Sequence, residues 1–151
     1  MLFALDVSMH QGWAVLAVVG ELELATAPRL RQRVVGLVGD DCAHIILDLT
    51  HVDFVDSVGL GVVVGALKRA RSRGGDVVVV GAAARVRALF EVTRLDEIIA
   101  LFVDLPAALA ELAFVDAGPD LTSSDLDGVE PRFAEGVLDG PADVRVAQPD
   151  G

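Results

Sequence analysis

The stretch Asp56-Ser57-Val58-Gly59-Leu60-Gly61 is the part of the sequence best equipped for chemistry. A strand runs into a loop there, and helical spacing begins at or just after Ser57, so the serine stands where a loop feeds a helix. Two roles fit a hydroxyl there. It can accept a hydrogen bond from a first-turn N–H and cap the helix. It can also accept a phosphoryl group, because free N–H groups and the positive end of the helix dipole favour phosphate at a helix start. Gly59 and Gly61 are expected to keep the first turn bare, so that a partner's backbone can come close. Phosphorylation would add roughly −1.5 to −2 charges beside Asp53 and Asp56, with Glu21 and Glu23 in a second loop expected at the same end of the sheet. Added charge in such acidic surroundings would repel a partner docked there, which describes an off-switch.

Enzyme chemistry finds little to stand on. His10, His44 and His51 are scattered at no metal-ligand spacing. Gly59-Leu60-Gly61 is too short for a dinucleotide fingerprint, and there is no phosphate-binding P-loop. Ser57 lacks the Gly-x-Ser-x-Gly elbow of a hydrolase and has no assignable base. Arg85, Arg87 and Arg94 read as solvated helix faces. The sequence therefore points to a binding protein with no cofactor, not to an enzyme.

The elements that must position Ser57 follow from periodicity. Phe3, Leu5, Val7 and Met9 alternate with polar or small residues, which predicts a half-buried strand. Gln11-Gly12 is a turn and Trp13 to Val19 a second strand, giving a hairpin. Gly20 to Glu23 reads as a loop. Thr26 is expected to cap a helix with Pro28 in its first turn and Leu30, Val34, Leu37 and Val38 inward. His44 to Leu49 predicts a buried strand, and Leu60, Val63, Val64 and Leu67 a helix stopped by Gly74-Gly75. A valine strand over 76–80, a helix over 83–91 with Val86, Leu89 and Phe90 inward, a strand over 98–102 and a helix over 105–113 complete the order β-β-α-β-α-β-α-β-α. Such alternation implies an α/β fold, a mainly parallel sheet behind an opening hairpin, flanked by helices.

Composition sets the remaining bounds. The hydrophobic fraction is 53% and the mean hydropathy +0.55, enough for a sizeable core. The net charge of −11 makes nucleic acid a poor partner. The lone cysteine, Cys42, excludes an intramolecular disulfide. The first ten residues already alternate without a basic start, and no apolar run approaches the roughly 20 residues of a membrane helix. These features predict a cytoplasmic protein without direct membrane insertion. The chain divides into a domain over residues 1–115 and an acidic, Pro/Gly-rich tail over 116–151. The tail carries Asp116, Asp120, Asp125, Asp127, Glu130, Glu135, Asp139, Asp143 and Asp150 against Arg132 and Arg145, a net −7. Low hydrophobicity with high charge does not offset the entropy of ordering, so the tail is expected to be disordered.

Gly20-Glu21-Leu22-Glu23 with Thr26-Ala27, then Asp48-Leu49 leading through Phe54-Val55 to Asp56–Gly61, resembles the STAS domain. So do the Gly74-Gly75 break and the Val86–Phe90 helix. The resemblance covers about residues 3–113 and is nearest to the anti-sigma factor antagonists of bacteria. It implies a partner that is an anti-sigma factor and also a serine kinase of GHKL type. Binding would free the sigma factor, phosphorylation of Ser57 would break the complex, and a PP2C-type phosphatase would reset it. The docking face would comprise Glu21, Glu23, Asp56, Ser57, Val58, Gly59, Leu60 and Gly61. Two residues depart from the usual pattern. Glu23 replaces the more common Asp, and Val58 replaces a second hydroxyl residue, which leaves Ser57 as the one acceptor there. The alternative is a STAS adaptor subunit of a membrane lipid-transport complex, in which the serine need not be phosphorylated; nucleotide binding rests on fold class alone. For the tail, a chain ending at residue 115 is expected to melt within a few degrees of the full chain in a thermal scan. A large loss would show that residues 116–151 carry folding energy.

Overall fold

Gln11 and Gly12 both adopt positive φ, 56° and 86°. That is the signature of a two-residue type I′ turn, whose twist matches the strands it joins. It closes a hairpin between β1 (Ala4–His10) and β2 (Trp13–Leu22), antiparallel from Ala4↔Val19 to His10↔Trp13. The computed structural model describes residues 2–115, and the acidic segment 116–151 lies outside them. After the hairpin come α1 (Ala27–Gly39), β3 (His44–Val55), α2 (Ser57–Arg71), β4 (Asp76–Val80), α3 (Ala84–Val92), a 3₁₀ turn at Leu95–Glu97, β5 (Leu101–Phe102) and α4 (Leu105–Glu111). The five strands lie in the order β1-β2-β3-β4-β5, with every pair after the hairpin parallel.

Sequential strand order combined with right-handed crossovers puts the crossover helices on one face of a sheet. The packing shows this. Leu30 and Val34 of α1, Leu60, Val63 and Leu67 of α2, and Val86 and Phe90 of α3 share one core with Leu16, Ile45, Leu47 and Val79 of the strands. The opposite face carries a smaller core of Trp13, Val15, Ile46, Val78 and Val80 under Ala108 of α4. The last described residues are tied back to the hairpin there. Gln11 Nε2 donates to the Leu109 carbonyl (3.2 Å), Trp13 Nε1 to that of Ala113 (3.1 Å), and the Val115 N–H to that of Gln11 (2.8 Å).

The sequence-based element order holds, with shifted boundaries. β2 and β3 run to Leu22 and Val55, so residues 20–22 and 50–55 are strand where the sequence predicted loop. The cause lies in the register. Between Ala17↔Asp48 and Val19↔His51, and again between Gly20↔Val52 and Glu21↔Phe54, β3 holds one residue more than β2. Each bulge reverses the side-chain alternation. The inward residues therefore read Ile45, Leu47, Leu49, Val52 and Val55, a pattern without period 2. Met9, expected inward, is 52% exposed beside the turn. The last strand contracts from 98–102 to Leu101–Phe102, because Ile98 and Ile99 follow the 3₁₀ turn and only Ile99 is buried. Thr26 stands at the helix start but does not accept from the first turn of α1.

His44, the first residue of β3, meets Trp13 edge-on with ring centroids 5.1 Å apart. Burial lowers its pKa from the ordinary 6.5, and nearby Asp76 opposes this in part. The folded state thus binds fewer protons at this site than the unfolded chain, and stability from the neutral ring is lost as pH falls from about 6.5 through the folded value. Tm should fall between neutral and mildly acidic pH, and His44→Gln should flatten that part of a Tm-against-pH curve. An unchanged slope in the variant would exclude His44 as its source.

Candidate functional site

Leu22 and Val55 form the last rung of the β2–β3 ladder, so two chain segments leave the sheet side by side. The segment after Leu22 turns toward α1 with two local side-chain bonds. Glu23 Oε1 accepts from the Ala25 N–H (2.8 Å), and Thr26 Oγ1 accepts from the Glu23 N–H (3.0 Å). Both bonds lie within the turn ahead of the helix, and neither caps the first turn of α1. The Thr26 hydroxyl also donates to the Glu21 carbonyl (2.6 Å), which anchors the turn to the end of β2.

The segment after Val55 enters α2 in a single step. Asp56 is extended (φ −100°, ψ −176°) and is the N-cap; Ser57 is already the first helical residue. Asp56 Oδ1 accepts from the Gly59 N–H at 2.8 Å, while Oδ2 accepts from the Leu24 N–H at 3.0 Å. Its own N–H donates to the Leu22 carbonyl (3.2 Å). One carboxylate therefore starts α2 and fastens the neighbouring turn to it. The cap that the sequence allowed for Ser57 belongs to Asp56. Ser57 is exposed, and among the described residues no partner takes its hydroxyl and no acceptor meets the N–H groups of Ser57 and Val58.

The glycines differ from each other. Gly59 is buried, and a Cβ there would run into the Leu22 carbonyl. It brings the start of α2 against the end of β2, and does not keep the surface open as the sequence suggested. Leu60 is also buried, in the helix-side core. Gly61 is exposed, with nothing near the position of a Cβ. Of the eight candidate docking residues, then, Gly59 and Leu60 hold the site from beneath. Asp56 is half-buried in its two hydrogen bonds, and Glu23 is likewise half-buried in its turn. Glu21 pairs with Phe54 in the ladder, not in a loop. Ser57, Val58 and Gly61 form the exposed part. Leu24 (68% exposed) and Phe54 (43% exposed) flank it at the same end of the sheet. Sequence reasoning missed both as surface residues, although Phe54 lies between two aspartates in a segment that had lost its alternation. His10 and His44 lie at the end of the sheet opposite Ser57. Among the described residues no group of three His, Cys, Asp or Glu side chains is placed to hold a metal ion, and no helix is long and apolar enough to cross a membrane.

A five-stranded sheet with a parallel run behind a hairpin, three helices on one face and an exposed serine opening α2 defines a class of small α/β domain. The STAS domain family matches residues 4–108. The anti-sigma-B factor antagonist of Listeria monocytogenes is 39% identical over 82 residues, 54% of this chain and 72% of that protein. The anti-sigma F factor antagonist of Paenibacillus polymyxa is 30% identical over 112 residues, 74% of this chain and 96% of that one. The crystal structure of an anti-sigma factor antagonist from Mycobacterium paratuberculosis superposes with a TM-score of 0.66 at 30% identity, covering 72% of this chain and 92% of that chain. The chain belongs to the STAS domain family, and within it to the anti-sigma factor antagonists.

These contacts assign separate energies to neighbouring residues. Asp56→Ala should cost about 0.5–2 kcal/mol as a lost cap, at the upper end because the Leu24 N–H also loses its acceptor. Ser57→Ala should stay within about 0.5 kcal/mol of wild type. Gly59→Ala should cost about 1–3 kcal/mol through overpacking, whereas Gly61→Ala should stabilise by about 0.5–1 kcal/mol. Chemical denaturation of the four variants checks the order, and a Ser57→Ala loss as large as that of Asp56→Ala would overturn the assignment of the cap.

Proposed function

We propose that the chain works as a cytoplasmic partner switch. It binds an anti-sigma factor that is also a serine kinase of GHKL type, so that the sigma factor is released, and phosphorylation of Ser57 ends the binding. A PP2C-type phosphatase restores the unmodified serine. The chain itself acts by binding and carries out no catalysis. The observation behind this reading is the exposed Ser57 hydroxyl at the first position of α2, without a partner among the described residues and with the capping duty already met by Asp56. A serine spared from holding the helix can be modified without unfolding it. The related proteins named anti-sigma factor antagonists support the partner class.

The physics of the off state follows from the same geometry. A phosphoryl group adds roughly −1.5 to −2 charges beside the Asp56 carboxylate. The unpaired N–H groups of Ser57 and Val58 and the helix dipole tolerate that charge. The domain therefore stays folded while its surface changes. A partner that lays apolar side chains against Val58, Leu24 and Phe54 would meet a hydrated dianion at the centre of the contact. Desolvating such a charge without a cation opposite is strongly unfavourable.

A pull-down from source lysate should compare wild type, Ser57→Ala and Ser57→Asp, with partners identified by mass spectrometry and radiolabelled ATP added to the captured material. Wild type and Ser57→Ala should recover a GHKL-type kinase, and Ser57→Asp at least tenfold less. Label should transfer to wild type and not to Ser57→Ala. Equal recovery by all three, or capture of a transporter ATPase in place of the kinase, would reject the switch and favour the adaptor role.

A further inference from the structure

Charge is unevenly spread over this acidic chain. Helices α1 and α2 carry Arg29, Arg31, Arg33, Lys68, Arg69 and Arg71 and not one acid, half of the 12 Lys and Arg residues in a chain of net charge −11. Two of the six are engaged. Arg29 lies over the Phe3 ring, 5.0 Å from its centroid, and Arg71 pairs with Asp76 at 3.1 Å. Arg31, Arg33, Lys68 and Arg69 form no ion pair among the described residues. Arg31 and Arg69 flank a groove of about 230 Å³ between the two helices, with Val34, Val58, Val62 and Ala66 as its apolar lining. Gly61 and Gly65 open it, since neither position has a neighbour where a Cβ would stand.

We propose that this groove is the docking site of the chain's own acidic segment, residues 116–151, bound in cis. Charge complementarity is the first argument. A net +2 groove on an acid-free pair of helices is opposite in sign to a segment of net −7 in the same molecule. The segment also has the right pattern, because its acids alternate with aliphatic and aromatic residues: Asp125-Leu126-Asp127, Val129-Glu130, Phe133-Ala134-Glu135 and Val137-Leu138-Asp139. An apolar side chain can enter the groove while a neighbouring carboxylate meets Arg31 or Arg69. Reach is the third argument. Val115 is fixed at the Gln11 turn, at the end of the sheet where α2 finishes and β4 begins. Residues 116–151 can extend roughly 120 Å from there at 3.3 Å per residue, several times the depth of the sheet. Docking of this kind is electrostatic, partial and salt-sensitive, and needs no folded structure in the segment.

Val58 and Gly61 line the groove and also belong to the exposed surface around Ser57. A docked segment covers them and competes with any partner there. That consequence rests on the reading of Ser57 given above; the docking does not.

The test uses the full chain without a partner, so its failure leaves the Ser57 reading standing, and failure of that reading leaves the docking untouched. A nitroxide is attached at Ala134→Cys in a Cys42→Ala background, and paramagnetic broadening of backbone amides is measured by NMR. Amides of residues 31–35 and 58–69 should be broadened selectively. The effect should drop at least threefold in 0.5 M NaCl, and again in the Arg31→Glu/Arg69→Glu variant at low salt. Chemical denaturation of an unlabelled wild-type chain at both salt concentrations keeps the domain's own stability in view. Uniform broadening, broadening centred elsewhere, no response to salt, or broadening that appears only between labelled and unlabelled molecules would each overturn docking in cis.

Discussion

The two oxygens of Asp56 hold together what the rest of the site assumes. One oxygen completes the first turn of α2 through Gly59; the other reaches across to the Leu24 N–H. Charge-assisted bonds of this kind are stronger than neutral ones and are directional. The β2–α1 turn and the start of α2 are thereby fastened together, although they lie more than thirty residues apart in the chain. Gly59 makes the arrangement sterically possible, since any side chain there would displace the Leu22 carbonyl. Ser57 is mounted on this assembly without taking part in it. The availability of its hydroxyl depends on the residue before it.

Charge averages conceal as much as they report. A net of −11 argues correctly against nucleic acid, yet the layer formed by α1 and α2 is uniformly cationic. Helix periodicity sorts residues between core and solvent, but it says nothing about the sign of the solvent-facing charges. That sign becomes visible only when two helices distant in sequence are placed side by side. The acid-poor face is built from residues 27–39 and 57–71, with β3 between them in the chain.

The helices and their order were legible because apolar spacing of three and four residues survives without knowledge of neighbours, and alternation of strand and helix signals fixed the parallel sheet. The end of β3 was not. Two bulges each reverse the side-chain phase, and Leu49, Val52 and Val55 are spaced by three, a pattern no isolated strand displays. Asp56 and Ser57 are both good capping residues, so their types alone could not assign the cap. The extended backbone of Asp56 does so, and it is imposed by the last rung between Leu22 and Val55. Phe54 escaped notice because nothing local marks an apolar residue as surface-bound when the strand phase around it has been lost, and Leu24 because an apolar residue in a short turn carries no periodicity at all.

Each strand of this sheet lies beside the one that precedes it in the chain. A growing polypeptide could therefore add one layer at a time to a hairpin already made, without leaving a gap for a later strand to fill. The strand ladders up to β4 pair each segment with one already made. Two sets of side-chain donors wait for later residues: Arg71 of α2 donates to the Ile98 carbonyl, and the carbonyls at Leu109 and Ala113 receive the side chains of Gln11 and Trp13. Until those residues leave the ribosome, the indole of Trp13 has an open face and an unmet N–H. Assembly of the described residues during translation would thus proceed from the amino end and close when α4 shuts over the first turn.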